Sequence, residues 1–523
     1  MEARMNRTEM LSRMKDTSQI WDFIIIGGGA TGLGCAIEAA SRGYSTLLLE
    51  QDDFAKGTSS RSTKLIHGGI RYLQQGNVSL VLEALKERGL LRQNAPHLVH
   101  NLPFVVPNYD WWEGPFYGIG LKLYDMLAGK HGFGRSRFLS REKIKQSIPT
   151  LETKGLRGGV IYYDGQFDDA RLAINMAQTA AEQSATVVNY VQVSGLIKEN
   201  GIVNGVLAKD LESGEELEIR ASGIINATGV FTDSVLEMDR PGSGNLIAPS
   251  QGVHLVLDDD FLPGKNAIMV PHTSDGRVLF ATPWHDKVIV GTTDTPVDKI
   301  SLEPRAMEEE IEFLLSHASR YLTKNPTPSD VLSIFAGLRP LVKEKEAGNT
   351  SSISRDHTIY ISSSGLVTVA GGKWTTYRKM AEDTIDHAAT IAQLPDSPCV
   401  SRNIHIHGYH RHAEKFGNLA LYGSDASSIQ NLLYHDPDLK TPLTPNTNTI
   451  AGEVVWAVRN EMARTVEDFL SRRTRALMLD ARESMEMAPK VSQLMAKELG
   501  RDEKWASAQV ETYVELAKGY LIS

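Results

Sequence analysis

Apolar and polar positions along the chain fall into blocks that predict an α/β unit first and a helical region last. "FIII" (Phe23–Ile26) is an apolar β-run. "CAIEAASRG" carries helical spacing and stops on Gly43, and "STLLLE" is a second strand ending at Glu50. A strand, a glycine turn, a helix and a strand make a βαβ unit, hence a parallel sheet. Further on, "SGLIKENGIVNGVLAKDLESGEELEIRASGIINATG" alternates short β-runs with "NG" and "SG" turns and predicts a meander that returns to that sheet. From about Gln251 to Pro296, "HLVL", "RVLFAT" and "KVIVGTTD" predict a second sheet. "MEEEIEFLLSHASRYL" predicts a helix with a solvated acidic face, and "GLVTVAGGKWTTYRKMAEDTIDHAA" a further strand, glycine turn and helix. After the Pro/Thr/Asn-rich loop "HDPDLKTPLTPNTNTI", segments such as "EVVWAVRNEMARTVEDFLSRRTRALM" show helical spacing without strand-like alternation. There is no internal repeat and no low-complexity tract.

The first twenty residues lack the apolar core of a secretory signal and read as a frayed or partner-docked tail. No run approaches the roughly 18 apolar residues of a membrane span, so any contact with a bilayer is peripheral. At 523 residues, two or three domains are expected. The 55 basic against 64 acidic side chains argue against a nucleic-acid binder, while leaving room for a local cationic cluster facing a small anion. With only Cys35 and Cys399 there is no disulfide framework, and a reducing cytoplasm is expected. Cys35, inside the first helix, reads as a small buried apolar residue.

The glycine cluster carries the first chemistry. Gly27, Gly29 and Gly32 form GxGxxG, followed by Ala36. Gly27 permits the tight turn, Gly29 lets the backbone approach a pyrophosphate, and Gly32 with Ala36 allows helix to pack on strand. The pyrophosphate sits on unpaired N–H groups at the helix start. Glu50, at the end of the second strand, is placed to accept hydrogen bonds from an adenosine ribose. This unit does not separate NAD from FAD. "INATG" (Ile225–Gly229), a late strand ending in A-T-G, favours FAD.

"TSSRSTKLIHGGIRYL", "YYDGQFDDARL", "INATG", "GVHLVL", "VGTTDT", "AGLRPL", "ISRDH" and "AGGKWTTYRKMAE" occur in this order. Together they closely resemble the FAD-dependent glycerol-3-phosphate dehydrogenase family of the bacterial aerobic type. The resemblance covers nearly the whole chain, including "TVEDFLSRRTRALMLD" in the helical tail. It implies an α/β fold with a discontinuous, Rossmann-like FAD-binding domain of the glutathione-reductase/glycine-oxidase type (residues 21–100, 160–245 and 331–395). It further implies an antiparallel-sheet substrate domain (101–159 and 246–330) and an all-α C-terminal domain (400–523), after an N-terminal tail (1–20). FAD contacts are implied for Gly27, Gly29, Ala30, Thr31, Gly32, Glu50, Gln51, Thr58, Ser59, Ser60, Leu65, His67, Gly68, Gly69, Val193, Ala227, Thr228, Gly229, Gly337, Gly372, Lys373, Thr375 and Thr376. The activity implied is oxidation of glycerol 3-phosphate to dihydroxyacetone phosphate, with electrons passed to a membrane quinone, in a peripheral, homodimeric enzyme.

The chemistry of these residues supports that reading. Oxidation of an alcohol by hydride transfer needs an acceptor, a base for the hydroxyl proton and a clamp on the carbon. The isoalloxazine is a hydride acceptor. "GGKWTTYRK" offers backbone N–H groups at a helix start, with Lys373 among them, where negative charge develops. A phosphorylated substrate needs convergent cations, for which Arg71 with Tyr72, Arg339, Arg355 and Lys373 are the candidates, joined by Thr375. His254 is the candidate base, with Arg339 the alternative stabiliser of a developing alkoxide; His67 contacts the flavin or shapes the loop. The histidines His405, His407, His410 and His412 lack a carboxylate or cysteine to complete a metal set, although His405 and His407 are expected on one strand face. Asp164, Asp168 and Asp169 read as helix-capping acids rather than a cation site. Arg472, Arg473 and Arg475 are candidates for an anionic membrane surface, with intramolecular ion pairs the better reading. Three rival functions remain open at this stage: an oxidase that passes electrons to oxygen, an amine oxidase of the glycine-oxidase-like group, and a non-catalytic dinucleotide-binding regulator.

Overall fold

The computed structural model describes residues 5–69, 73, 77–110, 113–270, 278–343 and 357–522. Arg71, Tyr72 and Arg355 lie outside the described residues.

Strand Trp21–Ile26 is buried almost throughout, so it occupies the middle of the first sheet. It pairs in parallel with Thr46–Leu49 on one side and Glu216–Asn226 on the other, with Ile25 opposite Leu48 and Ile225. The sheet continues in parallel through Thr186–Val188 at one end and Val367–Gly371 at the other, with antiparallel His357–Ile361 beyond the latter. Helix Ala30–Ser41 is buried over nearly its whole surface. Its small residues permit this: a Cβ on Gly34 would come within 2.9 Å of the Tyr377 ring on helix Tyr377–Ile391. Strands Val191–Glu199, Ile202–Asp210 and Glu216–Asn226 form the expected meander, turning at Gly201 with φ +80°.

The second sheet is built on the long pair Ile247–Asp258 and Ser333–Val342. It spreads through Lys287–Gly291, Leu279–Trp284, Ala267–Val270 and His100–Asn108 to Gly158–Gln166 and Leu65–Ile66. The boundaries drawn at 160 and 331 therefore run through or beside strands of this sheet. Side-chain alternation along Ile247–Asp258 sorts its two faces. Val253, Leu255 and Leu257 pack with Leu314 and Ala318 of helix Glu308–Tyr321. Val256 faces the other way, into a core shared with Phe335 and the C-terminal residues Phe469, Leu470 and Val491.

Three local expectations change. The N-terminal segment forms helix Arg7–Met14, capped by the Asn6 side chain, and docks on its own chain. Met5, Met10 and Met14 enter the first core, and the Arg7 guanidinium donates to Asn189 O at 3.2 Å and to Asp210 at 2.9 Å. Met10 and Met14, four residues apart, lie on one face of the helix. His405 and His407 lie in irregular chain, not on a strand. Within the helical C-terminal region, Asp468–Arg473 is a π-helical turn, between helices Ala451–Asn460 and Ala476–Leu479. No helix among the described residues is long and apolar enough to cross a membrane.

Candidate active site

Between the two sheets lies a cavity of about 960 Å³, at the upper end of the roughly 300–1,000 Å³ usual for small-molecule sites. One end is the first glycine turn. Gly27 has φ +108°, and a Cβ there would stand 2.7 Å from Ala227 O. A Cβ on Gly32 would stand 1.9 Å from Gly27 O, so only glycine lets the helix close on the turn. Gly29, the N-cap, brings no side chain to the helix start, and the Ser59 hydroxyl accepts from Ala30 N–H at 2.9 Å. Glu50 accepts from Gly28 N–H at 2.6 Å and Asp52 N–H at 2.9 Å. Burial pushes its carboxyl up to about 7. The wall here comprises Gly27, Gly29, Ala30, Thr31, Glu50, Gln51, Val193, Ala227, Thr228 and Gly229. A glycine turn, a helix N-terminus and a buried acid fit the diphosphate and ribose of a dinucleotide.

The middle of the cavity is lined by Thr58, Ser59, Leu65, His67, Gly69, Gly337, Gly372, Lys373 and Thr375. Hydrogen bonds tie these segments across the two sheets: Thr58 Oγ1 donates to Leu338 O at 2.7 Å, and Trp374 Nε1 to Ser59 O at 2.9 Å. Thr375 Oγ1 accepts from His67 N–H at 3.3 Å. Four residues expected at the cofactor do not line the cavity. Gly32 and Gly68 serve close packing, a Cβ on Gly68 falling 2.5 Å from the Tyr124 hydroxyl. Ser60 turns its carbonyl to Lys64 and Arg475, and the Thr376 hydroxyl donates back to Lys373 O.

His254, Arg339 and Lys373 line the same cavity. His254 faces opposite to Val253 and Leu255 and is buried, with its ring stacked on Phe335 at 4.8 Å. A Cβ at Gly291 would stand 2.2 Å from the ring, so the neighbouring strand makes room for it. The Thr63 hydroxyl bonds His254 Nε2 at 3.0 Å, and Nδ1 has no hydrogen-bond partner among the described residues. Burial, together with the charges of Lys64 and Arg339, holds the imidazole well below its ordinary range, so the ring is neutral near pH 7. Arg339 is held by Thr292 Oγ1 at 3.0 Å, Thr293 O at 2.9 Å and Asp294 at 3.2 Å, with Gln251 O at 3.3 Å. Lys373 occupies the extended N-cap ahead of the 3₁₀ turn Trp374–Thr376, which leads into helix Tyr377–Ile391.

Sequence reasoning missed several wall residues. Arg61 and Thr63 stand in "TSSRSTKL", and Thr292, Thr293 and Asp294 in "VGTTDT". Both motifs were visible, but the partnership of Thr292–Asp294 with Arg339 joins segments 45–47 residues apart. Lys64, behind His254, is fully buried between Ser60 O and Asp169, both at 2.7 Å. Burial and the nearby Arg475 push its amine down to about 7.

The discounted clusters resolve into ion pairs. Asp168 caps helix Asp169–Glu182, as expected of a capping acid. Asp169, by contrast, is the hub for Lys64, Ser62 and Arg475, and Asp164 pairs with Arg88 at 2.5 Å. Carboxylates do reach His407 from distant segments: Glu182 at 2.8 Å and Asp425 at 2.7 Å, one on each ring nitrogen. Burial lowers this imidazole, but the two acids outweigh it and raise it to about 9. His407 is thus a salt-bridged imidazolium rather than a ligand. Arg472 and Arg473 are buried on Asp53, and Arg475 on Asp169, so none faces a membrane.

Comparison with known proteins accords with this architecture. The family described as FAD dependent oxidoreductase matches residues 22–378, and the C-terminal domain of alpha-glycerophosphate oxidase matches residues 367–506. The chain is 40% identical to the mitochondrial glycerol-3-phosphate dehydrogenase of Homo sapiens, over 97% of this chain and 74% of that protein. The crystal structure of glycerol-3-phosphate dehydrogenase from Bacillus halodurans, complexed with FAD, superposes with a TM-score of 0.81 at 31% identity. That match covers 99% of this chain and 98% of the other. L-α-glycerophosphate oxidase from Mycoplasma pneumoniae shares the fold, with a TM-score of 0.56 at 16% identity over 72% and 96% of the two chains. The chain belongs to the FAD-dependent oxidoreductases and, within them, to the glycerol-3-phosphate dehydrogenase family.

Proposed function

We propose that this protein oxidises sn-glycerol 3-phosphate to dihydroxyacetone phosphate, with FAD in the cavity as hydride acceptor and a membrane quinone as the onward acceptor. The reading rests on one juxtaposition: a dinucleotide-type glycine turn and a cationic, histidine-bearing wall line the same cavity. The similarity to the human and Bacillus halodurans dehydrogenases supports it. When bound, FAD supplies a ring nitrogen that accepts the hydride. The backbone of Gly27–Thr31 holds the diphosphate, and Glu50 receives the ribose hydroxyls. Arg339, fixed by Thr292, Thr293 and Asp294, and Lys373 at a helix start provide the positive wall for phosphate and for alkoxide charge. The family resemblance assigns Arg71, Tyr72 and Arg355 to substrate binding as well, and Thr375 lines the cavity. His254, neutral and oriented by Thr63, takes the hydroxyl proton.

Adding glycerol 3-phosphate to the purified yellow protein without oxygen tests this reading. The flavin absorbance is expected to fade with glycerol 3-phosphate and not with glycine or proline. A colourless protein, or fading with the amino acids alone, refutes it. The match of residues 367–506 to a domain named for an oxidase keeps molecular oxygen as a second acceptor reading. Oxygen consumption with and without a quinone analogue separates the two.

A further inference from the structure

Helix Glu308–Tyr321 opens on three consecutive glutamates, and the solvated acidic face expected of them holds for only two. Glu308 and Glu309 are exposed, whereas Glu310 is 3% exposed. Its carboxylate accepts from Met307 N–H at 3.1 Å, the ordinary bond between a first-turn acid and the N-cap of its own helix. Three further donors come from other segments. The hydroxyls of Thr293 and Thr295 reach one carboxylate oxygen at 2.8 and 2.7 Å, and Gln251 Nε2 reaches the other at 2.7 Å. Capping the helix requires the first bond alone. The rest bind Glu310 to the sheet.

The residues that donate to Glu310 also hold Arg339. The Arg339 guanidinium donates to Gln251 O at 3.3 Å and Thr293 O at 2.9 Å, besides Thr292 Oγ1 and Asp294. Gln251 and Thr293 thus turn a side chain to Glu310 and a carbonyl to Arg339. The Thr293 hydroxyl is fixed further by Val253 N–H, which donates to it at 2.9 Å. Thr295 stands opposite Gln251 in the sheet, so the carboxylate pins two paired strands together. Room for the guanidinium comes from Gly252, where a Cβ would stand 2.3 Å from Arg339 Nη2. Arg339, Gly252 and Thr292–Asp294 line the cavity, and Glu310 is buried behind them.

We propose that Glu310 is a positioning residue for Arg339: from outside the cavity it fixes the carbonyls of Gln251 and Thr293 that hold the guanidinium at the wall. A guanidinium already in place needs little reordering when an anion arrives, and a misplacement of about 1 Å costs on the order of 10²-fold in rate. Glu310→Gln keeps the shape of the side chain and turns one of its two acceptor atoms into a donor. The four incoming N–H and O–H groups then no longer all find an acceptor. The use of Arg339 on substrate rests on the function proposed above; its anchoring by Glu310 does not.

Two measurements on the purified holoenzyme test it. The first is the rate at which phenylglyoxal, an arginine reagent, labels Arg339, followed by mass spectrometry of the peptide. Glu310→Gln, and the milder Thr295→Val, are expected to speed this labelling about threefold or more. Arg61, on the same cavity wall but held by Glu303 at 2.6 Å, is expected to label as in wild type. The second is anaerobic flavin reduction by glycerol 3-phosphate. Glu310→Gln is expected to slow it about 10–10²-fold at low substrate, and to add less than about twofold in an Arg339→Ala background. Labelling of Arg339 at the wild-type rate in both variants overturns the proposal whatever the substrate. Equal acceleration at Arg61 also overturns it, since the change is then a general loosening, as does full additivity with Arg339→Ala. Should Glu310→Gln fail to fold, Thr295→Val, which removes one neutral donor, carries both measurements. Wild type that glycerol 3-phosphate does not bleach refutes the proposed reaction, while the labelling still decides whether Glu310 holds Arg339.

Discussion

His254 is enclosed by Phe335, Thr63 and two nearby cations, which together keep it from carrying a proton. As the proton acceptor, it is ready in its neutral form across the physiological range. The acid limb of kcat/KM is therefore expected well below the ordinary imidazole range. A limb between pH 6.5 and 7 in a pH–rate profile would place the base elsewhere. His254→Ala is expected to slow anaerobic flavin reduction by about 10²–10⁴-fold, with a smaller effect on substrate affinity; equal reduction rates would exclude the role. His407 shows the opposite electrostatics. Its folded value of about 9 exceeds the ordinary 6.5, so the folded state binds the extra proton. Its contribution is complete below pH 6.5 and disappears as pH rises through 9. His407→Gln is expected to cost about 2–3 kcal/mol in urea unfolding at pH 6 and little at pH 10; a pH-independent cost would mean that packing, not charge, is what was lost.

Among the elements, the strand–turn–helix at Trp21–Ser41 was the most legible. Its chemistry is local: an apolar strand, glycines at fixed spacing and a small-residue helix each constrain the next few residues. Gly32→Ala tests that chain of constraint. With Gly27 O 1.9 Å from the new Cβ, the turn must open. The variant is expected to fold but to purify with little flavin, read from the ratio of visible to ultraviolet absorbance. The N-terminal helix was less legible, because Met5, Met10 and Met14 acquire meaning only against a core built from residues far along the chain. Likewise "TVEDFLSRR" has ordinary helical spacing. The π-helical turn at Asp468–Arg473 follows from charges that must face inward to partners on other segments.

For the whole molecule, an ion network fastens the C-terminal region to the cofactor-binding sheet. Asp53, only three residues beyond Glu50, is wholly buried and bonds Arg472 at 2.5 Å and Arg473 at 2.6 Å. Burial alone would raise its carboxyl, but Arg473 and Arg472 outweigh that and hold it at about 2. Asp53→Ala would leave two buried guanidiniums short of an acceptor, and a loss of about 3–5 kcal/mol is expected in chemical unfolding. A loss below 1 kcal/mol would show that Glu467, Asp468 and Glu461 suffice. What the chain dictated unaided was whatever depends on neighbours in sequence: the glycine turn, the meander, the helical tail and, through its motifs, the family. The folded arrangement alone decided which arginines are buried, which acids meet His407, and how Thr292–Asp294 grip Arg339. The reason is physical: periodicity and turn chemistry act over a few residues, whereas the energy of a charge depends on partners and burial supplied from hundreds of residues away.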